Sequence, residues 1–531
     1  MKYLSSPVVF IAFEDSDNLG IGYLCAILSE SGFKTIVIDF RYKKEDILKV
    51  LKKLDPLIVG FSVIFQHHIY KFKELTGFLR KNGIQCHFTA GGHYASLRCE
   101  NLFKIIPDFD SIVRFEGEYT IVDLVKCLYS GKDWRKIDGI AYKDKRKIIM
   151  NPLRSLEKDL DKFPIPLRSP LTGYAFKKKF ATILAGRGCI HDCSFCNIKE
   201  YYKQSSGPSK RIRDPKEVVR EMELLYREEN CFMFLFQDDD FPVKTSHGPE
   251  WIIDFCKELK RRRLSDKIMW KINCRPDEIS EESFKLMKQH GLFLVFLGIE
   301  DGTDIGLKRL NKHITAAKNL EGVSILKRLG LGFDFGFMIF QPWSTFKTIN
   351  YNLDFLIKIC GDGYTPATFL KMLPYFATDV EKELREKGRL IGKPGAVNYN
   401  FLEESLDRYY NFVMDCFIGW LADSEGLVNI SKWIRNYFLV YERYFEVTTD
   451  VSLLNFKVKN IISESNLFLL NTMKELSELF DSKNNIEPER DILKNYRKNI
   501  YSRHEDYKKQ INESIIKLHH FAGIPEPLFQ N

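Results

Sequence analysis

The sequence predicts an α/β chain in three parts. An N-terminal doubly wound, Rossmann-like domain covers residues 1–150, a partial (β/α)6 barrel covers 176–390, and a helical C-terminal domain covers 391–531, with a linker at 151–175. Three observations predict this. Short apolar, β-branched runs alternate with amphipathic helical stretches through the first 150 residues. After a stretch holding Pro152, Pro164, Pro166 and Pro170, the alternation resumes for six further strands. Beyond residue 390 the apolar spacing is helical.

In the first part, residues 8–13, 34–40, 57–65, 85–90 and 111–115 read as buried strands. Residues 20–31, 45–54, 70–82 and 120–129 read as the helices between or after them. Such a sheet is parallel, covered on both faces, and binds ligands outside the carboxyl ends of its strands. Those ends carry Asp15, Asp17 and Gly20 after the first strand, and Ser62 and Ile64 after the third. Gly91, Gly92 and His93 follow the fourth, and Glu116, Gly117 and Glu118 the fifth. Glycines there let the backbone approach a large ligand closely. His67 and His68 are adjacent and point apart, which suits a loop at the ligand edge better than a metal pair.

The bulk numbers fit a multidomain soluble enzyme. The chain has 531 residues, too many for one core, with 44% hydrophobic and 28% charged residues. Its net charge of +9 is spread over many lysines. The short runs Lys177–Lys179 and Arg261–Arg263 lack the aromatic interleaving of a single-strand groove, so no nucleic-acid partner is expected. The apolar run after Pro7 is too short for a signal peptide, and no stretch reaches the length of a membrane span. Twelve cysteines, three of them bunched, suit a reducing cytoplasm.

The bunched three are Cys189, Cys193 and Cys196, spaced C-x3-C-x2-C after the first strand of the second part. Three thiolates can hold three irons of a [4Fe–4S] cluster and leave the fourth iron open. A zinc site or a chance spacing is the alternative. Structural zinc takes four protein ligands, and His191, wedged between two of the cysteines, is poorly placed to be the fourth. The later strands read 232–236, 267–273, 292–298, 333–340 and 369–373. Their carboxyl ends should carry the functional groups. Asp238, Asp239 and Asp240 follow the second strand, Arg275 and Asp277 the third, and Glu300 the fourth.

The cysteine loop, with Arg187 and Gly188 before it and Phe195 within it, resembles the radical S-adenosylmethionine (SAM) superfamily. The resemblance implies low oxygen, a [4Fe–4S] cluster on the three cysteines, and SAM on its open iron. Asp238 and Asp239 then resemble the loop that receives the SAM amino group, Glu300 the ribose acceptor of a G-I-E motif, and Arg275 a further SAM-binding position. Arg309 or Lys312 could meet the SAM carboxylate. Phe340 stands where a glycine is usual on the fifth strand. The N-terminal loops resemble the D-x-H-x-x-G, S-x-L and G-G loops of the cobalamin-binding domain, with Asp17 in place of the cobalt-ligating histidine and Ile64 in place of the leucine. The implied cobalamin residues are Asp17, Gly20, Ser62, Gly91, Gly92, His93, Glu116 and Gly117.

Together these parts resemble the cobalamin-dependent radical SAM enzymes. The implied activity is methyl transfer to an unactivated carbon, or to phosphorus, of a small molecule or peptide. A flavodoxin or ferredoxin would supply the electron. The alternatives are ring formation, ring contraction or oxidation without methyl transfer, methylthio transfer to tRNA, and a cobalamin-binding sensor. Methylthio transfer would want three more clustered cysteines, and Cys25, Cys86, Cys99 and Cys127 lie singly. In the tail, Cys416 alone cannot hold an auxiliary cluster. The tail's aromatics read as packed helices or as a cap bringing Tyr409, Tyr410 or Trp420 to the pocket.

Overall fold

The computed structural model describes residues 6–14, 17–244, 248–481 and 488–524. Strands β1 (Val8–Ala12), β2 (Thr35–Asp39), β3 (Ile58–Ser62), β4 (His87–Gly91) and β5 (Ser111–Val113) form the predicted parallel sheet. Its order is β2-β1-β3-β4-β5, extended by an antiparallel hairpin of β6 (Ile140–Asp144) and β7 (Lys147–Met150). The hairpin went unread because its tip, Asp144 to Lys147, is all charged and turns through Lys145 at φ 55°. Helices α1 (Leu19–Glu30), α2 (Lys44–Leu54), α3 (Ile69–Lys81), α4 (His93–Leu97), α5 (Cys99–Ile105) and α6 (Glu118–Ser130) cover both faces. The interiors of β1 and β3 carry no polar side chain, as burial on both faces requires.

The second sheet has the order β14-β13-β12-β11-β8 and is parallel throughout. It comprises β8 (Lys179–Ile183), β11 (Cys231–Phe236), β12 (Met269–Cys274), β13 (Leu292–Glu300) and β14 (Gly332–Phe337). A two-residue ladder of β9 (Gly186–Arg187) and β10 (Arg211–Ile212) stands at its rim. The sixth strand expected at 369–373 is an extended segment joined to the barrel by one bridge, Phe340 to Lys371, and by the Leu370 and Met372 amides. Helices α7 (Ile198–Lys203), α8 (Pro215–Glu229), α9 (Gly248–Arg261), α10 (Glu281–Gln289), α11 (Asp304–Arg309), α12 (Ala316–Leu329), α13 (Phe346–Cys360) and α14 (Asp379–Glu386) complete this part. Their starts are legible: Asp214 caps α8 ahead of Pro215, and Thr345 with Thr348 makes a capping box on α13.

A hairpin of β15 (Leu390–Lys393) and β16 (Ala396–Tyr399) leads into the tail, where α15 (Glu404–Leu421), α16 (Leu427–Tyr444), α17 (Thr449–Phe480) and α18 (Arg490–Phe521) pack on the barrel. One apolar core runs from Ala175 to Leu518 through both. Tyr409 and Trp420 are buried within it, and the Tyr409 hydroxyl donates to the Met473 carbonyl, so the core reading of these two aromatics holds rather than the cap. No described helix is long and apolar enough to cross a membrane.

The two sheets meet with their carboxyl ends facing each other, and buried ion pairs hold them there. Asp17 leaves the ligand edge and turns into the barrel. It accepts from Arg168 at 2.5 Å and from the Thr182 amide and hydroxyl at 3.2 and 2.9 Å. Arg168 also reaches Glu221, which pairs with Arg213, which pairs with Asp161. On the other side Arg187 joins Glu116 and Glu118, and Arg211 joins Glu116. Removing one partner of such a pair leaves an uncompensated buried charge. Asp17→Ala should therefore destabilise the chain by about 3–5 kcal/mol; equilibrium denaturation of the variant against the parent checks it.

Candidate functional site

The cluster loop leaves β8 through Ala185 and Gly186 and is pinned before it reaches the first cysteine. Gly188 has φ 82°, and a Cβ there would lie 1.7 Å from the Ser209 carbonyl oxygen, so only glycine fits. Asp238 accepts from the Ala185 amide at 3.0 Å and Asp239 from the Gly188 amide at 3.1 Å. These two aspartates thus brace the loop as well as standing at the end of β11. The third, Asp240, lies against Glu278 and His191. His191 Nε2 is 3.1 Å from Glu278 Oε1, and His191 gathers with Asp240 and Glu278 rather than with the three cysteines.

The thiols of Cys189, Cys193 and Cys196 do not gather within 4.8 Å of one another. One zinc would draw three thiolates together at about 2.3 Å, whereas three irons of a cluster would suit thiolates spaced apart. The His191 amide donates to Cys189 Sγ at 3.4 Å, and Arg275 Nη1 to Cys193 Sγ at 3.8 Å. Burial pushes the Cys189 thiol up to about 12 and the Cys196 thiol up to about 11. Bound iron would be the positive charge that lets them ionise. The donor set therefore fits a cluster with one open iron.

Arg275 is heavily engaged here. Besides Cys193 it holds Asp277 at 2.9 Å and the Lys312 carbonyl. Lys312 donates to the Gly298 carbonyl at 2.7 Å and stands 3.8 Å from Glu300, while Arg309 pairs with Glu383 at the surface. Glu300 ends β13 at φ 68°, a left-handed backbone that costs a non-glycine residue about 1–2 kcal/mol. Its carboxyl is raised by burial and lowered by Lys312 and Arg275. It lies over two glycines paired across neighbouring strands, Gly298 and Gly336. A Cβ on either would approach it to 3.0 or 3.3 Å. Small residues beneath a carboxylate leave a cradle for a ligand with hydroxyl groups.

Gly20, Ser62, Gly91, Gly92, His93, Glu116 and Gly117 line one cavity of about 320 Å³. The barrel supplies its other wall with Gly186, Arg187, Tyr201, Tyr202, Gln237 and Asp239. Asp17 does not line it. The cavity's depth is apolar, reaching Phe10, Val113 and Ile121 between the strands, and its rim is glycine backbone and polar side chains. That combination fits a large ring with an aromatic tail. Burial lowers the pKa of His93, the one imidazole among the described lining residues, and nearby Asp239 raises it. Its ring lies 4.2 Å from that of Tyr201. Asp239 presents its carboxylate to the same cavity, and burial raises its pKa while His93 opposes the rise.

Residues 6–125 match the model of the B12 binding domain, and residues 183–349 that of the radical SAM superfamily. The chain is a cobalamin-dependent radical SAM enzyme. Its cofactors are a [4Fe–4S] cluster, SAM and cobalamin. It is 27% identical over 369 residues to an uncharacterised methyltransferase of Pyrococcus horikoshii, covering 68% of this chain and 76% of that one. It is 26% identical over 422 residues to an anaerobic magnesium-protoporphyrin IX monomethyl ester cyclase of Rubrivivax gelatinosus, covering 74% and 73%. The fold is shared with OxsB bound to aquacobalamin and SAM, at TM-score 0.65 and 19% identity over 95% and 85% of the two chains. It is also shared with the methyltransferase TsrM of Kitasatospora setae bound to tryptophan and a SAM analogue, at TM-score 0.61 and 16% identity over 89% and 99%.

In this radical SAM enzyme, sequence reasoning missed Lys312 as the partner of Glu300, and Tyr201 and Tyr202 as walls of the cavity between the two domains. The tyrosines follow the third cysteine closely, which was the available signal. Cys189→Ala, Cys193→Ala and Cys196→Ala should each lose the cluster, whereas His191→Ala should keep close to the wild-type iron and sulfide content. Iron and sulfide analysis of anaerobically reconstituted protein checks both outcomes.

Proposed function

We propose that the enzyme transfers a methyl group from SAM to an unactivated carbon, or to phosphorus, of a small molecule or peptide. The observation that carries this is the shared wall. Asp239 braces the cluster loop through Gly188 and at the same time faces the cobalamin cavity beside His93, so the two cofactor sites open onto one space. When bound, cobalamin would supply a methyl carrier there, one SAM the methyl group, and a second SAM on the cluster the hydrogen-abstracting radical.

The chain's own residues position and shield. Asp239 offers a carboxylate to the SAM ammonium, and Glu300 an acceptor to the ribose hydroxyls above Gly298 and Gly336. Asp238 and Arg275 act at one remove, holding the loop through Ala185 and the thiolate of Cys193. Gly20, Ser62, Gly91, Gly92, Glu116 and Gly117 shape the cobalamin cavity. Asp17 serves by locking that domain to the barrel. An electron from a flavodoxin or ferredoxin, an anaerobic setting and a cytoplasmic location complete the reading.

A ring-forming reaction without methyl transfer is the second reading, favoured by the similarity to the cyclase. Product analysis separates the two. With SAM, cobalamin, a low-potential reductant and candidate substrates, methyl transfer yields S-adenosylhomocysteine, 5′-deoxyadenosine and a product heavier by one CH2. Ring formation yields 5′-deoxyadenosine without that gain. Glu300→Ala should weaken SAM binding roughly tenfold or more, from a lost charged hydrogen bond of about 1.5–3 kcal/mol, with the cluster intact; titration of the reconstituted variant with SAM checks it.

A further inference from the structure

Helix α16 forms the floor of the barrel. Arg443 donates to the Ser265 and Ile268 carbonyls ahead of β12, and the Tyr444 hydroxyl to the Lys267 carbonyl. Arg435 reaches the Phe333 carbonyl at 2.7 Å and Asp334 at 3.1 Å on β14. Asn436 donates to the Tyr174 hydroxyl ahead of β8. A Cβ on Gly332 would lie 2.6 Å from Leu439, so this helix seals the barrel from below.

Above that floor cationic side chains line the inside of the barrel. Register places Asn273, Phe296 and Asp334 side by side on β12, β13 and β14, with Lys271 one layer lower beside Leu294. Phe296 is 37% exposed on a central strand, so space opens inside the barrel at its level. Lys271 donates to Asn273 Oδ1 at 2.7 Å and stands 5.6 Å from the Phe296 ring centre. Lys432 of α16 is largely buried near Asp334 and makes no hydrogen bond or ion pair with a described residue. Asp334, already paired with Arg435, is the carboxylate that acts on both lysines. Three cations thus face one anion in a confined space, an arrangement that favours a further negative charge.

We propose that this chamber floor binds an anionic group of the substrate, a carboxylate or a phosphate, through Lys271 and Lys432. From the level of Phe296 to Glu300 the strand rises about 13 Å, so the substrate is elongated. Its charged end lies on the floor, its middle passes the Phe296 ring, and its reacting atom lies near the cluster loop. Calling the anion a substrate rests on the proposed methyl transfer; the binding itself is measured without turnover, so the two fail separately.

The test uses the reconstituted full chain, with inorganic phosphate and acetate as probes against chloride at equal ionic strength. Phosphate or acetate should raise the melting temperature saturably above the chloride control. A response to phosphate alone assigns a phosphate ester, and to acetate alone a carboxylate. Lys271→Met and Lys432→Met should bind the probe at least tenfold more weakly, should melt no lower than wild type without it, and should bind SAM with wild-type affinity. The proposal is overturned if wild type shows no anion-specific response, if both variants keep it, if the variants melt lower without the probe, or if they lose SAM binding, which would make the floor a SAM subsite or a packing device.

Discussion

The structure depends on a buried seam of charge between its two sheets. Asp17, Glu116 and Glu118 come from the N-terminal domain, and Arg168, Arg187 and Arg211 from the linker and barrel. The Arg168 and Asp17 side chains are only 7% and 3% exposed, so their charges have left water and depend on each other. Such pairs gain little net stability over apolar packing, but a mismatched docking would strand every member. The seam thus fixes which way the two carboxyl edges face. The proposed reaction requires the cavity of the first domain and the cysteine loop to lie close together, and the seam holds the two edges that carry them.

What was legible in the sequence follows from how local each signal is. Cys189, Cys193 and Cys196 lie within eight residues, so their spacing could be read directly, while the brace from Asp239 to Gly188, 51 residues apart, could not. The order of glycines at successive strand ends was legible because a parallel sheet places all such ends on one edge. Asp17 was not legible. Its partner, Arg168, is 151 residues away, and the position it occupies suggested a ligand contact. The burial that commits its carboxylate to an arginine depends on two domains meeting, which no local pattern records. The tail was ambiguous for a different reason. Aromatics at helical spacing look the same whether they pack on a barrel wall or cover a pocket, and only the contact of Tyr409 with Met473 decides it.

The three parts of the chain enclose the barrel from three sides. The N-terminal domain and the cluster loop form the roof, the barrel strands the wall, and α16 the floor. The barrel is weakly closed on this side, since its sixth strand is attached by one bridge and two amides and the outer edge of β8 meets only a single bridge from Gly173. Arg435 and Asn436 bond to both margins of that gap, at Phe333 and Thr365 on one side and Tyr174 on the other. A radical reaction needs such closure, since water and competing hydrogen donors would quench it. The strained backbone of Glu300 belongs to the same design. Lys312 stands 3.8 Å from its carboxylate, Arg275 holds the Lys312 carbonyl, and Arg275 in turn meets Cys193. Glu300 is therefore linked to Cys193 through Lys312 and one arginine, so that a shift at either is transmitted to the other.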